Sequence, residues 1–136
     1  MKKDYFSDEE LHLLDATTQE KVYMWYLKDK ILNPVREALG KMTCTSGHRN
    51  EKHNREVGGA KNSHHLCNNG YAAADLIPSN VALEELFKYI RDSYSYAELI
   101  LEHDQGIIHV SMNIDPEKNT KRTSRRKLVD GKKVYY

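Results

Sequence analysis

The sequence predicts an α+β domain in which N-terminal helices pack on a small antiparallel sheet of about four strands. Three observations point there. The first forty residues carry apolar side chains at helical spacing and stop at Gly40, a good helix-ending residue. Beyond it, residues 41–46, 71–77, 96–101 and 106–112 read as short strands bounded by turn-forming residues. One further helical face, made of Val81, Leu83, Leu86, Phe87 and Ile90, separates the second of these from the third.

Taken in order, Ser7-Asp8-Glu9-Glu10 has the pattern of a capping box, which predicts a short helix carrying Leu11, Leu13 and Leu14. A second helix is expected from Gln19 to about Ile31, with Val22, Trp25, Tyr26 and Leu27 on its inner side, and Val35 to Leu39 form the last turns before Gly40. Residues 41–46 alternate Met42, Cys44 and Ser46 against Thr43 and Thr45, as a half-buried strand does. Residues 47–69 hold Asn, His, Lys and Gly with almost no apolar side chains, a long polar loop of the kind that is uncommon unless it is functional. Residues 71–77 include three alanines that permit close packing, and Pro78 ends them. Ser79 or Asn80 caps the following helix, and the turn from Glu102 to Gln105 makes the last two strands a hairpin. In the tail, Asp130-Gly131 is a second hairpin signal.

At 136 residues the chain suits one domain, 1–136, in which residues 1–40 are helical, 41–113 form the core and 114–136 a basic tail. Lys and Arg number 21 against 20 Asp and Glu, so net charge gives no case for nucleic acid or membrane. The basic stretch from Lys121 to Lys133 has the charge for nucleic acid but lacks interleaved aromatics, so it reads as a solvated face or one suited to acidic polymers. No apolar run reaches transmembrane length, and the acidic turn after MKKDYFSDEE is unlike a signal peptide, so a soluble protein made in the cytoplasm, and a monomer, is expected. Cys44 and Cys67 are too few for a disulfide framework.

Three residues have the types of a zinc site: His65 in the polar loop, Asp75 closing the small-residue strand and His109 inside an apolar strand. Three protein donors leave a position for water, which separates catalytic from structural zinc. Taken singly, each has a plainer reading. A histidine in a polar loop is usually solvated, one in an apolar strand is usually a satisfied core residue, and His64 and Cys67 compete with His65 as donors. Asp75 is the hardest to explain without a partner, because a buried carboxylate is rare unless paired or metal-bound. His48, His53 and His103 read as exposed, with His48 at the edge of a groove.

An ordered set of segments carries a family resemblance: Ser46-Gly47-His48-Arg49, Asn54, Val57-Gly58-Gly59, Asn62-Ser63-His64-His65, Gly70, Ala73-Ala74-Asp75, Leu99-Ile100-Leu101-Glu102 and His109-Val110-Ser111. Across residues 6–113 the chain resembles the zinc D-alanyl-D-alanine carboxypeptidases and phage peptidoglycan endopeptidases, whose fold is shared with the hedgehog signalling domain. The resemblance implies Zn2+ held by His65, Asp75 and His109. It makes Arg49 the group that holds a substrate carboxylate or carbonyl and Glu102 the general base and later general acid. It also implies a peptide of bacterial peptidoglycan as substrate, cleaved by a lysis enzyme of the phage type. Some positions depart from the family's pattern. His65 and Asp75 stand further apart, His48 replaces a tyrosine, Ile107 replaces an aromatic, and Glu102 is one residue further from His109, which leaves Asp104 as a competing catalytic acid. The alternative is a catalytically degenerate zinc-containing module that binds the wall or sits in a virion. Between the two, an acid near the metal's open position argues for catalysis and a fourth protein ligand such as Cys67 for structure.

Overall fold

A computed structural model describes residues 3–136. Ser7 does cap, its Oγ accepting from the Glu10 main chain at 3.1 Å, but turns follow it instead of the expected helix. His12 adopts a φ of 60°, which interrupts any helical run and sends Leu11 and Leu13 into the core while Leu14 stays 76% exposed. The capping box that starts a helix lies further on. Thr17 Oγ1 accepts from the Glu20 main chain at 3.1 Å, and Glu20 Oε1 accepts from the Thr17 main chain at 2.8 Å, opening α1 (Thr18–Leu27).

In place of one helix to Ile31, the chain widens into a π-helical turn, Lys28–Leu32, and continues as α2 (Asn33–Leu39). Pro34 accounts for the change, since it has no N–H to offer the preceding turn and an interior proline breaks the regular helix. The inner side is Met24, Leu27, Ile31, Leu32 and Val35. Val22 and Trp25 are exposed instead, and Trp25 donates its indole N–H to Asp8 Oδ1 at 2.7 Å. Gly40, at a φ of 89°, ends α2 as the sequence predicts.

Six strands form one sheet: β1 (Met42–Ser46), β2 (Tyr71–Pro78), β3 (Glu98–Glu102), β4 (Ile107–Asn113), β5 (Arg122–Val129) and β6 (Lys132–Tyr135), in the order β1-β2-β4-β3-β5-β6. The α+β class holds, but the sheet is larger than the four strands expected and is mixed, because β5 pairs parallel to β3. The basic tail supplies the two extra strands. Its Asp130-Gly131 turn, with φ of 51° and 77°, is the hairpin turn that the dipeptide signals. The polar stretch after β1 is less irregular than its composition suggests, containing α3 (Glu51–Glu56) and a single 3₁₀ turn, His64–Leu66. After β2 comes α4 (Leu83–Ser93), capped at Ala82 with no side-chain cap, not at Ser79 or Asn80.

One face of the sheet is covered by helices. Ala72, Ala74 and Leu76 of β2, Leu99 and Leu101 of β3, and Ile108 and Val110 of β4 are buried against this layer, together with Leu27, Leu86, Phe87 and Ile90. Fully burying one such leucine or isoleucine stabilises the fold by about 1.5–3 kcal/mol. Strand alternation turns the residues in between to the other face: Asp75, Glu98, Ile100, Glu102, His109 and Ser111. A bulge in β1 adds to that face. Cys44 pairs with Leu76, but after one extra residue Ser46 pairs with Asp75, so Ser46 leaves the core side on which regular alternation puts it.

Candidate metal centre

Asp75 and His109 are partners across the β2–β4 ladder, and Asp75 Oδ1 lies 3.0 Å from His109 Nδ1. The same oxygen is 3.2 Å from Nε2 of His65, which the 3₁₀ turn swings over the sheet. His65 is locked in place by three hydrogen bonds. Its Nδ1 donates to the Gly47 carbonyl at 2.7 Å, its amide donates to Ser63 Oγ at 3.2 Å, and its carbonyl accepts from the Arg49 amide at 2.8 Å. One ligand atom from each of His65, Asp75 and His109 lies within 4.8 Å of the others, and all three residues are buried.

The donor chemistry of this triad fits a divalent cation. With its Nδ1 proton given to Gly47, a neutral His65 turns the Nε2 lone pair toward a carboxylate oxygen, an arrangement that a cation between them resolves. Burial pushes the His65 pKa down and so favours that neutral form, although Asp75 opposes the shift. For Asp75, burial works against ionisation, yet His109 and His65 beside it prevail and hold the carboxyl well below the usual range. Cys67, the competing donor, is buried in the hydrophobic core, where burial pushes its thiol up to about 12. His64 lines the same cavity as the triad but is not one of the clustered ligands. Its ring stacks on Tyr71 at 3.8 Å, its Nδ1 sits 2.8 Å from Ser111 Oγ and 3.0 Å from Glu98 Oε1, and burial brings its pKa down to about 4.

The triad opens into a cavity of about 560 Å³, lined also by Arg49, Glu98, Glu102, Arg122 and Arg126. Arg49 donates through Nε to Ser46 Oγ at 3.1 Å and through Nη1 to Asn54 Oδ1 at 3.4 Å, and its Nη2 is 3.6 Å from Asp75 Oδ2. Asn54 in turn donates to the Ala60 carbonyl at 2.8 Å. The second glycine of Val57-Gly58-Gly59 is required by this clamp, because a Cβ on Gly59 would fall on the Asn54 side-chain oxygen.

The sequence leaves Glu102 and Asp104 as rival acids, and the fold separates them. Glu102 is buried and lines the cavity, with Arg126 Nη1 2.7 Å from its Oε1. Asp104 lies in the β3–β4 turn, where it accepts from Arg126 Nε at 3.2 Å and Nη2 at 3.0 Å, and it does not belong to the cavity wall. Burial and the charge of Asp75 push the Glu102 pKa up, while Arg126 and His109 pull it down.

Two expectations fail here. His48 does not line the groove and is not exposed. It is buried, with Nε2 3.4 Å from Glu20 and Nδ1 3.6 Å from Asp15. Ile107, which stands where the family has an aromatic, is buried and does not line the cavity. The residues that sequence reasoning misses are Glu98, Arg122 and Arg126. Their signal is a matched spacing, Glu98 and Glu102 in β3 against Arg122 and Arg126 in β5, which the parallel register brings face to face.

A buried His-Asp-His triad at the floor of a polar cavity, with an acid on its wall, is the layout of a metallohydrolase. The family model of peptidase M15 matches residues 4–111, and the chain belongs to that family, whose members are zinc-dependent metallopeptidases. No curated protein matches the chain. β5 and β6 lie beyond the matched segment yet contribute Arg122, Arg126, Lys133 and Tyr135 to the same cavity. Among the described residues no helix is long and apolar enough to cross a membrane.

Proposed function

We propose that this chain is a zinc peptidase that hydrolyses peptide bonds of bacterial peptidoglycan, in the manner of a phage lysis enzyme. The observation that carries the reading is the single oxygen, Asp75 Oδ1, faced by both His65 and His109 beneath a cavity that Glu102 and Arg49 line. His65 Nε2, His109 Nδ1 and the Asp75 carboxylate would hold the ion. When bound, zinc supplies a water of lowered pKa, near about 7, and polarises a carbonyl.

The chain's own residues do the rest. Glu102, ionised, accepts a proton from the attacking water and then delivers it to the departing amine. Arg126 aims and steadies that carboxylate through their 2.7 Å contact. Arg49, fixed by Ser46 and Asn54, presents its guanidinium to a substrate carboxylate or to the oxyanion that develops at the scissile carbonyl. Cys67 lies in the core and adds no fourth donor, which favours an open catalytic position over a structural site.

The test is incubation of the purified protein with intact peptidoglycan, with and without a chelator, followed by mass spectrometry of released fragments. New amine termini that vanish with chelator identify an endopeptidase, and loss of single terminal D-alanines identifies a carboxypeptidase. Stoichiometric zinc with no fragment under any condition sinks the enzymatic reading in favour of a binding module.

A further inference from the structure

His109 has two ring nitrogens, and the triad uses one of them. An imidazole that gives its Nδ1 lone pair to a cation carries its proton on Nε2. In this fold His109 Nε2 is buried and makes no hydrogen bond among the described residues. A buried N–H left without an acceptor keeps the full penalty of its lost hydration, so the loaded site needs an acceptor at that position.

The fold brings a carboxylate there. Glu98 Oε1 is 3.6 Å from His109 Nε2, just beyond hydrogen-bonding distance. Several contacts hold Glu98 in place. Arg122 pairs with its Oε2, His64 Nδ1 is 3.0 Å from its Oε1, and its main-chain N–H donates to Ser111 Oγ at 3.1 Å. Tyr71 backs the His64 ring, so the contact from that side is itself braced. These partners commit Glu98 to a fixed posture beside His109 and leave proton transfer to Glu102.

Resting on the reading of His65, Asp75 and His109 as a metal centre, we propose that Glu98 is a positioning residue for the metal, whose carboxylate accepts the His109 Nε2 proton and so fixes the ring with Nδ1 turned to the ion. Glu98 does not touch the reacting atoms. It acts by holding the tautomer and raising the donor strength of the imidazole, as outer-shell carboxylates do. Its position, directly across the β3–β4 ladder from Ser111 and two residues from the partner of His109, gives it that reach.

Zinc affinity, measured on the full-length protein by competition with a chromophoric chelator, tests the assignment, with circular dichroism to confirm that each variant folds. Glu98→Ala is expected to bind zinc about 10–100-fold more weakly than the wild type. Glu98→Gln keeps an acceptor oxygen and is expected to recover some of that loss. His64→Ala removes a brace of Glu98 but not the acceptor, and is expected to stay closer to wild type than Glu98→Ala. Wild-type affinity in Glu98→Ala, or an equal loss in His64→Ala, overturns the proposal. A measurement on the unmutated, zinc-loaded protein serves even where Glu98→Ala does not fold. The His109 side chain should show a slowly exchanging Nε2 proton in nitrogen-proton NMR, and a proton on Nδ1 instead overturns the assignment. A wild-type chain that takes up no zinc removes the metal-centre reading itself, whereas tight zinc binding indifferent to Glu98 removes this inference alone.

Discussion

Asp75 Oδ1 stands between two histidines brought from opposite directions, His109 Nδ1 at 3.0 Å across the β2–β4 ladder and His65 Nε2 at 3.2 Å from the turn above it. One side chain therefore ties the sheet to the loop. Asp75→Ala removes the atom that both rings face, and zinc affinity is expected to fall by more than about 100-fold, beyond the range of outer-shell partners. Chelator competition checks this. An affinity close to wild type would move the metal elsewhere in the cavity.

Glu102 and Asp104 make different predictions because only Glu102 lines the cavity. Glu102→Gln is expected to lower kcat/KM by about 10²–10⁴ while zinc binding is kept, the range for loss of a general base. Asp104→Asn is expected to keep most of the activity. Fragment release from peptidoglycan by both variants, side by side, decides the matter, and the reverse ranking would make Asp104 the base.

The pH profile should reveal the influence of Arg126. Burial and Asp75 push the Glu102 pKa up and Arg126 pulls it down, so the folded chain holds this proton to a higher pH than an ordinary glutamate does. A base works only when ionised, so kcat/KM of the zinc-loaded enzyme is expected to fall as the pH drops through the Glu102 pKa, which the charge of the bound ion sets lower than in the metal-free chain. Arg126→Ala takes away the lowering influence, and the acid limb is expected to move to higher pH. An acid limb that stays in place in Arg126→Ala would separate this pair from catalysis.

Gly47 has no room for a side chain, since an added Cβ would fall on the Leu11 carbonyl, which is main chain and gives way poorly. Gly47→Ala is expected to cost about 1–3 kcal/mol in denaturant unfolding, the usual penalty of overpacking. The Gly47 carbonyl also accepts the His65 Nδ1 proton, so zinc affinity should drop along with stability. A stability loss with unchanged affinity would show that the carbonyl does not set the ring.

Much of this site is legible in the residues themselves. Asp75 betrays itself as a carboxylate after three alanines in a strand with no neighbouring charge to pair it, and His109 as an imidazole among Ile and Val. The sequence reads Glu102 as part of the turn, and it is the β3–β4 register that puts it on one face with His109. What alternation does not reveal is a bulge. Ser46 shares the core side with Met42 and Cys44 in any regular strand, and one extra residue in β1 reverses it. Nor does composition reveal a partner. A tail rich in Arg and Lys reads as solvated because a sequence does not say which acids lie across the ladder, and Arg122 and Arg126 meet Glu98 and Glu102 only once β5 has chosen the parallel register. His48 reads as an exposed loop residue because the acids that flank it, Asp15 and Glu20, are distant in sequence.

The parallel pairing of β3 with β5 has a consequence for how the protein comes into being. The cavity draws on residues from Thr45 to Tyr135, and the ladders that join them close long stretches of chain. Contacts of that kind form late, because the entropy of closing the loops must be overcome before any of them stabilises the chain. A collapsed intermediate with α1 and α4 already wound would have no binding site for an ion. On dilution from denaturant, helical circular dichroism is therefore expected to return first and zinc capture only with the last major refolding phase, so that the ion selects chains that have finished folding and does not template those that have not.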